Sequence, residues 1–304
     1  MSAPVRVLAV TDLGPAGAAT VAAAAEQVAA AGGELAVVHA IPDLVMARPV
    51  FPNLNTDDAV AQAEFPAKVR QALEAQVAAA APGVTATLMI EGGGPAEVAL
   101  KAADAWGADL IVVTSVDETS IDSERIVRHA QVPVMVARAG HARGPVVACT
   151  DFSDPALPAV RAAAAEARRT GDPLLVVHAL EPLPYAVVGI EGYGIMLGSE
   201  WYSERRRNAE DRLAEALRDA GVEGTYVAVE GPVVSVLAQT ARDHAARLMV
   251  IGTVGRTGLT RFLLGSVAES LVRAAPCSTL VVRLKRGEAA AATATPAAAE
   301  AAHR

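Results

Sequence analysis

The chain is short of several things, and each shortage excludes something. Aromatic side chains make up 3% of the 304 residues although hydrophobic residues reach 52%, so any core must be built from Ala, Val and Leu. Only Cys149 and Cys277 are present. Two cysteines give neither a disulfide framework nor metal-ligand spacing, and both read as small buried hydrophobes in a reducing compartment. Basic charge is in deficit: 26 Lys and Arg face 34 Asp and Glu, a net charge of −8. That balance argues against gripping a nucleic-acid backbone, which needs a basic face. No apolar run approaches the ~20 residues needed to cross a bilayer. The opening MSAPVRVLAVTDL enters a strand pattern with no basic-then-apolar leader. The expectation is a cytoplasmic protein with neither nucleic acid nor membrane as partner.

What is present is repetition. Val7-Leu8-Ala9-Val10-Thr11-Asp12 matches Val146-Val147-Ala148-Cys149-Thr150-Asp151 at an offset of 139 residues. Val37-Val38-His39-Ala40 and Val176-Val177-His178-Ala179 share that offset, as do Ile111-Val112-Val113-Thr114 and Val250-Ile251-Gly252-Thr253. Agreement at three places across a half marks a duplication. Each half alternates short apolar runs with helical periodicity, predicting a parallel sheet covered by helices on both faces. Strands are expected at 5–11, 34–40, 84–90, 109–114 and 133–138, then at 145–150, 173–179, 224–230, 247–252 and 278–283. Helices are expected over about 16–31, 57–80, 95–106, 120–130, 155–170, 200–220, 232–245 and 265–274, with Pro95 in the first turn of its helix. The domains are therefore 1–140 and 144–286, followed by a low-complexity Ala-rich tail, 287–304, in which we expect no site.

The chemistry concentrates in Leu248–Leu271. A strand ends at Gly252, Gly255 and Gly265 follow at fixed spacing, and Ser266 and Val267 open an amphipathic helix. Glycine lets backbone N–H groups approach a ligand that a Cβ would hold off, and a helix N-terminus attracts anions. Ser266 is expected as N-cap or phosphate donor, and Arg256 and Arg261 suit phosphate as well as solvent. Glycines after a strand are also ordinary turn residues, so spacing alone leaves both readings open.

The run Gly252-x2-Gly255-x9-Gly265-Ser266, with Pro276-Cys277-Ser278-Thr279-Leu280-Val281-Val282 beyond it, resembles the ATP-binding signature of the universal stress protein family. Val254 stands where that pattern has histidine. The resemblance implies two doubly wound five-stranded α/β sheets of strand order 3-2-1-4-5, with the ligand at the switch point between strands 1 and 4. It further implies an ATP site formed by Asp151 on the ribose, Ala179 on adenine, and Gly252, Gly255, Gly265, Ser266 and Val267 on the phosphates, with Mg²⁺ as companion. A homodimer or an internal pseudo-dimer, its edge strands 133–138 and 278–283 paired, and an unnamed regulatory protein partner in a stress response follow from the same resemblance.

The first half departs from this pattern. It has no glycine between Gly107 and Gly140, and Asp117, Glu118, Asp122 and Glu124 stand near the equivalent loop. A carboxylate within ~4–6 Å of a triphosphate costs about 1 kcal/mol even at high effective dielectric. The first half is thus expected to keep the fold but not to hold ATP, although Asp12 remains where a ribose contact would sit. His39 and His178 are expected as hydrogen-bonded structural histidines. The run Gly92-Gly93-Gly94 lacks the following Lys and Ser or Thr of a Walker loop. No nucleophile–base pair, metal cluster or loop lysine can be named. A slow ATPase and a nucleotide-independent interaction module stay open as alternatives to an ATP-binding regulator.

Overall fold

The computed structural model describes residues 6–41, 59–114, 121–138, 143–153, 156–181, 199–253 and 264–283. The chain divides into two compact units, 2–139 and 140–304, the second also taking in Met1.

In the first unit, β1 (Arg6–Thr11), β2 (Glu34–Ile41), β3 (Ala86–Gly92), β4 (Leu110–Thr114) and β5 (Val134–Ala137) form a parallel sheet of order β3-β2-β1-β4-β5. The helices are α1 (Pro15–Ala31), α2 (Ala59–Ala80), α3 (Pro95–Trp106) and α4 (Ile121–His129). Val7, Leu8, Ala9, Ile111 and Val112 have no exposed surface, the mark of strands covered on both faces. Pro95 opens α3, and Gly107 closes it at φ 72°, a left-handed cap that a Cβ would strain.

The second unit repeats the plan with β6 (Val146–Cys149), β7 (Leu174–Leu180), β8 (Thr225–Glu230), β9 (Leu248–Gly252) and β10 (Ser278–Val282). Its parallel order is β8-β7-β6-β9-β10, again 3-2-1-4-5 within the repeat. The helices are α5 (Leu157–Thr170), α6 (Ser199–Asp219), α7 (Val233–Asp243) and α8 (Ser266–Ala274). Helix and strand boundaries fall within two residues of those expected from sequence. Among the described residues no helix is long and apolar enough to cross a membrane.

The two units differ where the first strand turns into its helix. Both turns use a left-handed residue, Leu13 at φ 65° and Phe152 at φ 64°. In each, the preceding threonine hydroxyl accepts the N–H of that residue, at 3.0 Å from Leu13 and 3.2 Å from Phe152. In the first unit Gln76 of α2 braces the turn: its Oε1 accepts the Thr11 hydroxyl at 2.6 Å and its Nε2 donates to the Gly14 carbonyl at 3.1 Å. Buried Val69, Leu73 and Val77 of α2 correspond to buried Ala209, Leu213 and Leu217 of α6, 140 residues on. At that offset Gln76 becomes Ala216, which lines a recess of about 460 Å³ with Leu157 of α5 and Leu213 of α6. Gln76→Ala should therefore destabilise the first unit by about 1–2 kcal/mol, since two hydrogen bonds and the satisfaction of a buried hydroxyl are lost. Urea denaturation of the full chain would measure it, and an unchanged midpoint would remove the brace from the account.

Candidate functional site

A cleft of about 480 Å³ opens at the C-terminal ends of β6, β7 and β9. Asp151, Ala179, Gly252, Gly265, Ser266 and Val267 all line it. Six of the seven residues singled out in the sequence are thus brought together from segments more than a hundred residues apart. The seventh, Gly255, lies outside the described residues, as do Val254, Arg256, Arg261, Asp117, Glu118 and the tail 287–304. The cleft sits at the point where the chain leaves β6 for β7 on one side and reaches β9 on the other. Crevices at such points bind ligands in open α/β sheets, and the volume lies within the ~300–1,000 Å³ of small-molecule sites.

One wall is the start of α8. Gly265 is the N-cap, with extended φ −64° and ψ 149°. Ser266, expected as a cap, is instead the first helical residue, exposed with Val267 at the cleft. The reason is local: Gly265 N–H donates to the Thr253 carbonyl at 2.8 Å, and Thr253 N–H donates to Val282 at 3.2 Å. Those bonds hold the residue before the helix against the end of β9. The first intrahelical bond runs from Glu269 N–H to the Gly265 carbonyl at 2.9 Å. The amides of Ser266, Val267 and Ala268 therefore have no carbonyl within the helix, the usual state of a first turn.

The floor is the β6 turn. Asp151 Oδ1 accepts both the Ser153 N–H at 3.0 Å and the Ser153 hydroxyl at 2.5 Å. Each strand-end histidine donates from Nδ1 to a backbone carbonyl at 2.8 Å, His39 to Thr11 and His178 to Thr150, which makes them structural in the way expected. The His178 ring also meets Phe152, centroids 4.2 Å apart. Cys149 lines the cleft, but burial first and the neighbouring Cys277 second push its thiol up to about 12, so it stays protonated and is no nucleophile. Among the described residues no group of three His, Cys, Asp or Glu could hold a metal ion.

The family of this fold is shown by its sequence. The model of the universal stress protein family matches residues 5–138 and again 143–283. The chain belongs to the universal stress protein family. A universal stress protein of Methanocaldococcus jannaschii is 31% identical over 143 residues, which are 47% of this chain and 84% of that protein. One from Thermus aquaticus is 36% identical over 134 residues, 44% of this chain and 93% of that protein. Each relative therefore matches about one repeat. The crystal structure of a universal stress protein from Archaeoglobus fulgidus covers 94% of this chain and 98% of its own, with a TM-score of 0.64 at 18% identity, a likeness of fold alone.

Within this tandem universal stress protein the two repeats differ in sequence at the start of the helix that forms this wall. Buried Ile126 and Val127 of α4 correspond to buried Leu271 and Val272 of α8. In that register Ser120, Ile121 and Asp122 stand where the second repeat has Gly265, Ser266 and Val267. Asp122 and Glu124, placed near the loop from sequence, lie instead in the first turn of α4, where a carboxylate favours the helix dipole and competes with any anion. Glu124 is also held by Arg128 at 2.7 Å. Asp12 Oδ1 accepts Gly14 N–H at 2.8 Å and Gly17 N–H at 3.1 Å, as Asp151 Oδ1 accepts two donors in the second repeat. The Asp12 carboxylate thereby ties down the first turn of α1.

Sequence reasoning missed Glu181 and Arg205 as lining residues of the cleft. Glu181 could have been found as the end of the β7 run. Nothing in the spacing of Arg205 points it toward β7.

Proposed function

We propose that the second repeat binds ATP and that the protein acts as a nucleotide-dependent regulator in a stress response. The observation that carries this reading is the convergence of Asp151, Ala179, Gly252, Gly265, Ser266 and Val267 on one cleft with the amino end of α8 as its wall. In this reading the amides of Ser266 to Ala268 and the Ser266 hydroxyl take the phosphates. Asp151 takes the ribose hydroxyls, and the backbone at Ala179 takes the base. Mg²⁺ would be held chiefly by phosphate oxygens and water, which suits a cleft without a carboxylate cluster. A regulator works by linkage: a nucleotide shifts an equilibrium only by its differential affinity for two states, and a protein partner would read the favoured one. The inert Cys149 and the histidines held by backbone carbonyls weigh against an enzyme.

The test is calorimetric titration of the full chain with ATP and Mg²⁺, together with chromatography of any nucleotide released on denaturation. One ATP per chain is expected, because the first repeat presents Ile121 and Asp122 where the second presents Ser266 and Val267. Two equivalent sites would show the first repeat competent. ADP accumulating on incubation would favour the slow ATPase, and no binding at all the nucleotide-independent interaction module.

A further inference from the structure

Among the described residues lining the cleft, Arg205 is a cation that the glycine signature leaves unexplained. Arg205 lies on α6, one turn beyond Trp201, whose ring is 5.7 Å from its guanidinium carbon. Its Nη2 donates to the Glu181 carbonyl at 2.8 Å, and both residues line the cleft. Its Nη1 is buried and has no hydrogen-bond partner among the described residues. A buried donor left without an acceptor forfeits its hydration, and native structures keep such groups where a ligand, ion or water completes them. The Nη2 bond to the Glu181 carbonyl and the Trp201 ring hold the fork in place before any ligand arrives.

Sheet order says which part of a ligand it would meet. The cleft runs from β9 and α8 across β6 to β7 and α6, and Arg205 is tied to the end of β7. Two strand spacings, about 10 Å, separate β9 from β7. A nucleotide with its phosphates on the amides of α8 would present its base, not its phosphates, at that distance.

We propose that Arg205 recognises the base of the bound nucleotide, with Nη1 donating to an acceptor atom on the base edge that faces β7. The inference rests on the nucleotide reading above and adds the residue that selects the ligand. A guanidinium only donates, so the matching edge must carry a ring nitrogen or carbonyl oxygen, and an exocyclic amine turned to that place would be rejected. At the offset of 140 residues relating α6 to α2, the first repeat has Phe65, which offers no donor.

Calorimetry on the full chain with ATP, adenosine and a set of deaza-adenosines, each lacking one ring nitrogen, tests this. Arg205→Met keeps an apolar stem against Trp201 and removes the donors. It should weaken ATP and adenosine by the same factor, about tenfold, because the lost contact is to the base. Wild type should discriminate against one deaza-adenosine by about as much, and Arg205→Met should bind that analogue and adenosine alike. A loss confined to ATP would assign Arg205 to the phosphates and overturn the proposal, as would unchanged affinities, which leave the nucleotide reading standing. Should the variant fail to fold, wild type binding every deaza-adenosine as it binds adenosine overturns it equally. Wild type binding neither ATP nor adenosine removes the nucleotide reading first, and the proposal with it.

Discussion

Replacing Arg247 by methionine is expected to destabilise the second repeat by about 3–5 kcal/mol, the usual result of removing one member of a buried ion network. Arg247 follows α7 and reaches across to α5 and its exit turn. Its Nε donates to Asp172 Oδ2 at 2.9 Å and its Nη2 to Glu166 Oε1 at 2.9 Å. Arg169 holds the same Glu166 through both carboxylate oxygens. The side chains of Arg247, Glu166 and Asp172 are only 14%, 9% and 9% exposed. Methionine would fill the space of the stem but leave Asp172 and part of Glu166 buried without a counter-charge. For a unit of this size the melting temperature should fall by roughly 10 °C. A shift below about 2 °C would show the network to be solvated and worth little.

The same network sets an acid limit. Burial by itself would raise the Glu166 carboxyl, but hydrogen bonds from Arg169 and Arg247, with their charges, outweigh it and hold the group below its ordinary value of 4.5. A depressed folded-state value means a stabilisation fully present above the unfolded value and lost as pH falls through the folded one. Wild type should lose this share of its stability only below about pH 4.5, whereas Arg247→Met, having less to lose, should show a shallower acid limb. Urea midpoints collected between neutral and acid pH would compare the two slopes.

That network also marks what sequence could and could not reveal. Periodicity and the internal repeat located every described strand and helix, because near-continuous Val, Leu and Ile runs have few alternatives to a doubly covered parallel strand. The cleft was legible for a related reason: Asp151, Ala179 and Gly252 stand at or just past strand ends, and a 3-2-1-4-5 order brings those ends together. Arg247, Glu166 and Asp172 were not legible, since their partners are 75 and 81 residues apart and nothing local distinguishes them from solvated charges. At the repeat offset of 139, Arg247 corresponds to Ala108 and Glu166 to Gln27, so comparing the halves gave no paired signal either. Ser266 was misplaced by one residue as a cap because serine favours that position. The decisive bond, Gly265 to Thr253, depends on how β9 meets α8 across the intervening loop.

Gly265→Val should weaken ATP binding at least tenfold, about 1.4 kcal/mol, while changing stability by less than about 1 kcal/mol. The backbone at Gly265, φ −64° and ψ 149°, is open to any L residue, so the penalty is one of space and not of torsion. A Cβ placed there would lie 3.2 Å from the Thr253 carbonyl oxygen, which already accepts the Gly265 N–H. Valine adds two methyl groups to that approach. Either the hydrogen bond lengthens or the first turn of α8 swings away from β9, and both displace the amides of Ser266 and Val267 from the cleft. Because those amides would meet phosphate and not base, adenosine should lose much less affinity than ATP, the reverse of the even loss expected for Arg205→Met. Gly265→Ala should fall between, since one methyl can be absorbed by a shift of a few tenths of an ångström. Parallel titrations of the two variants with ATP and adenosine therefore separate the phosphate end of the cleft from its base end. Unchanged ATP affinity in Gly265→Val would mean that the polyphosphate does not rest on α8.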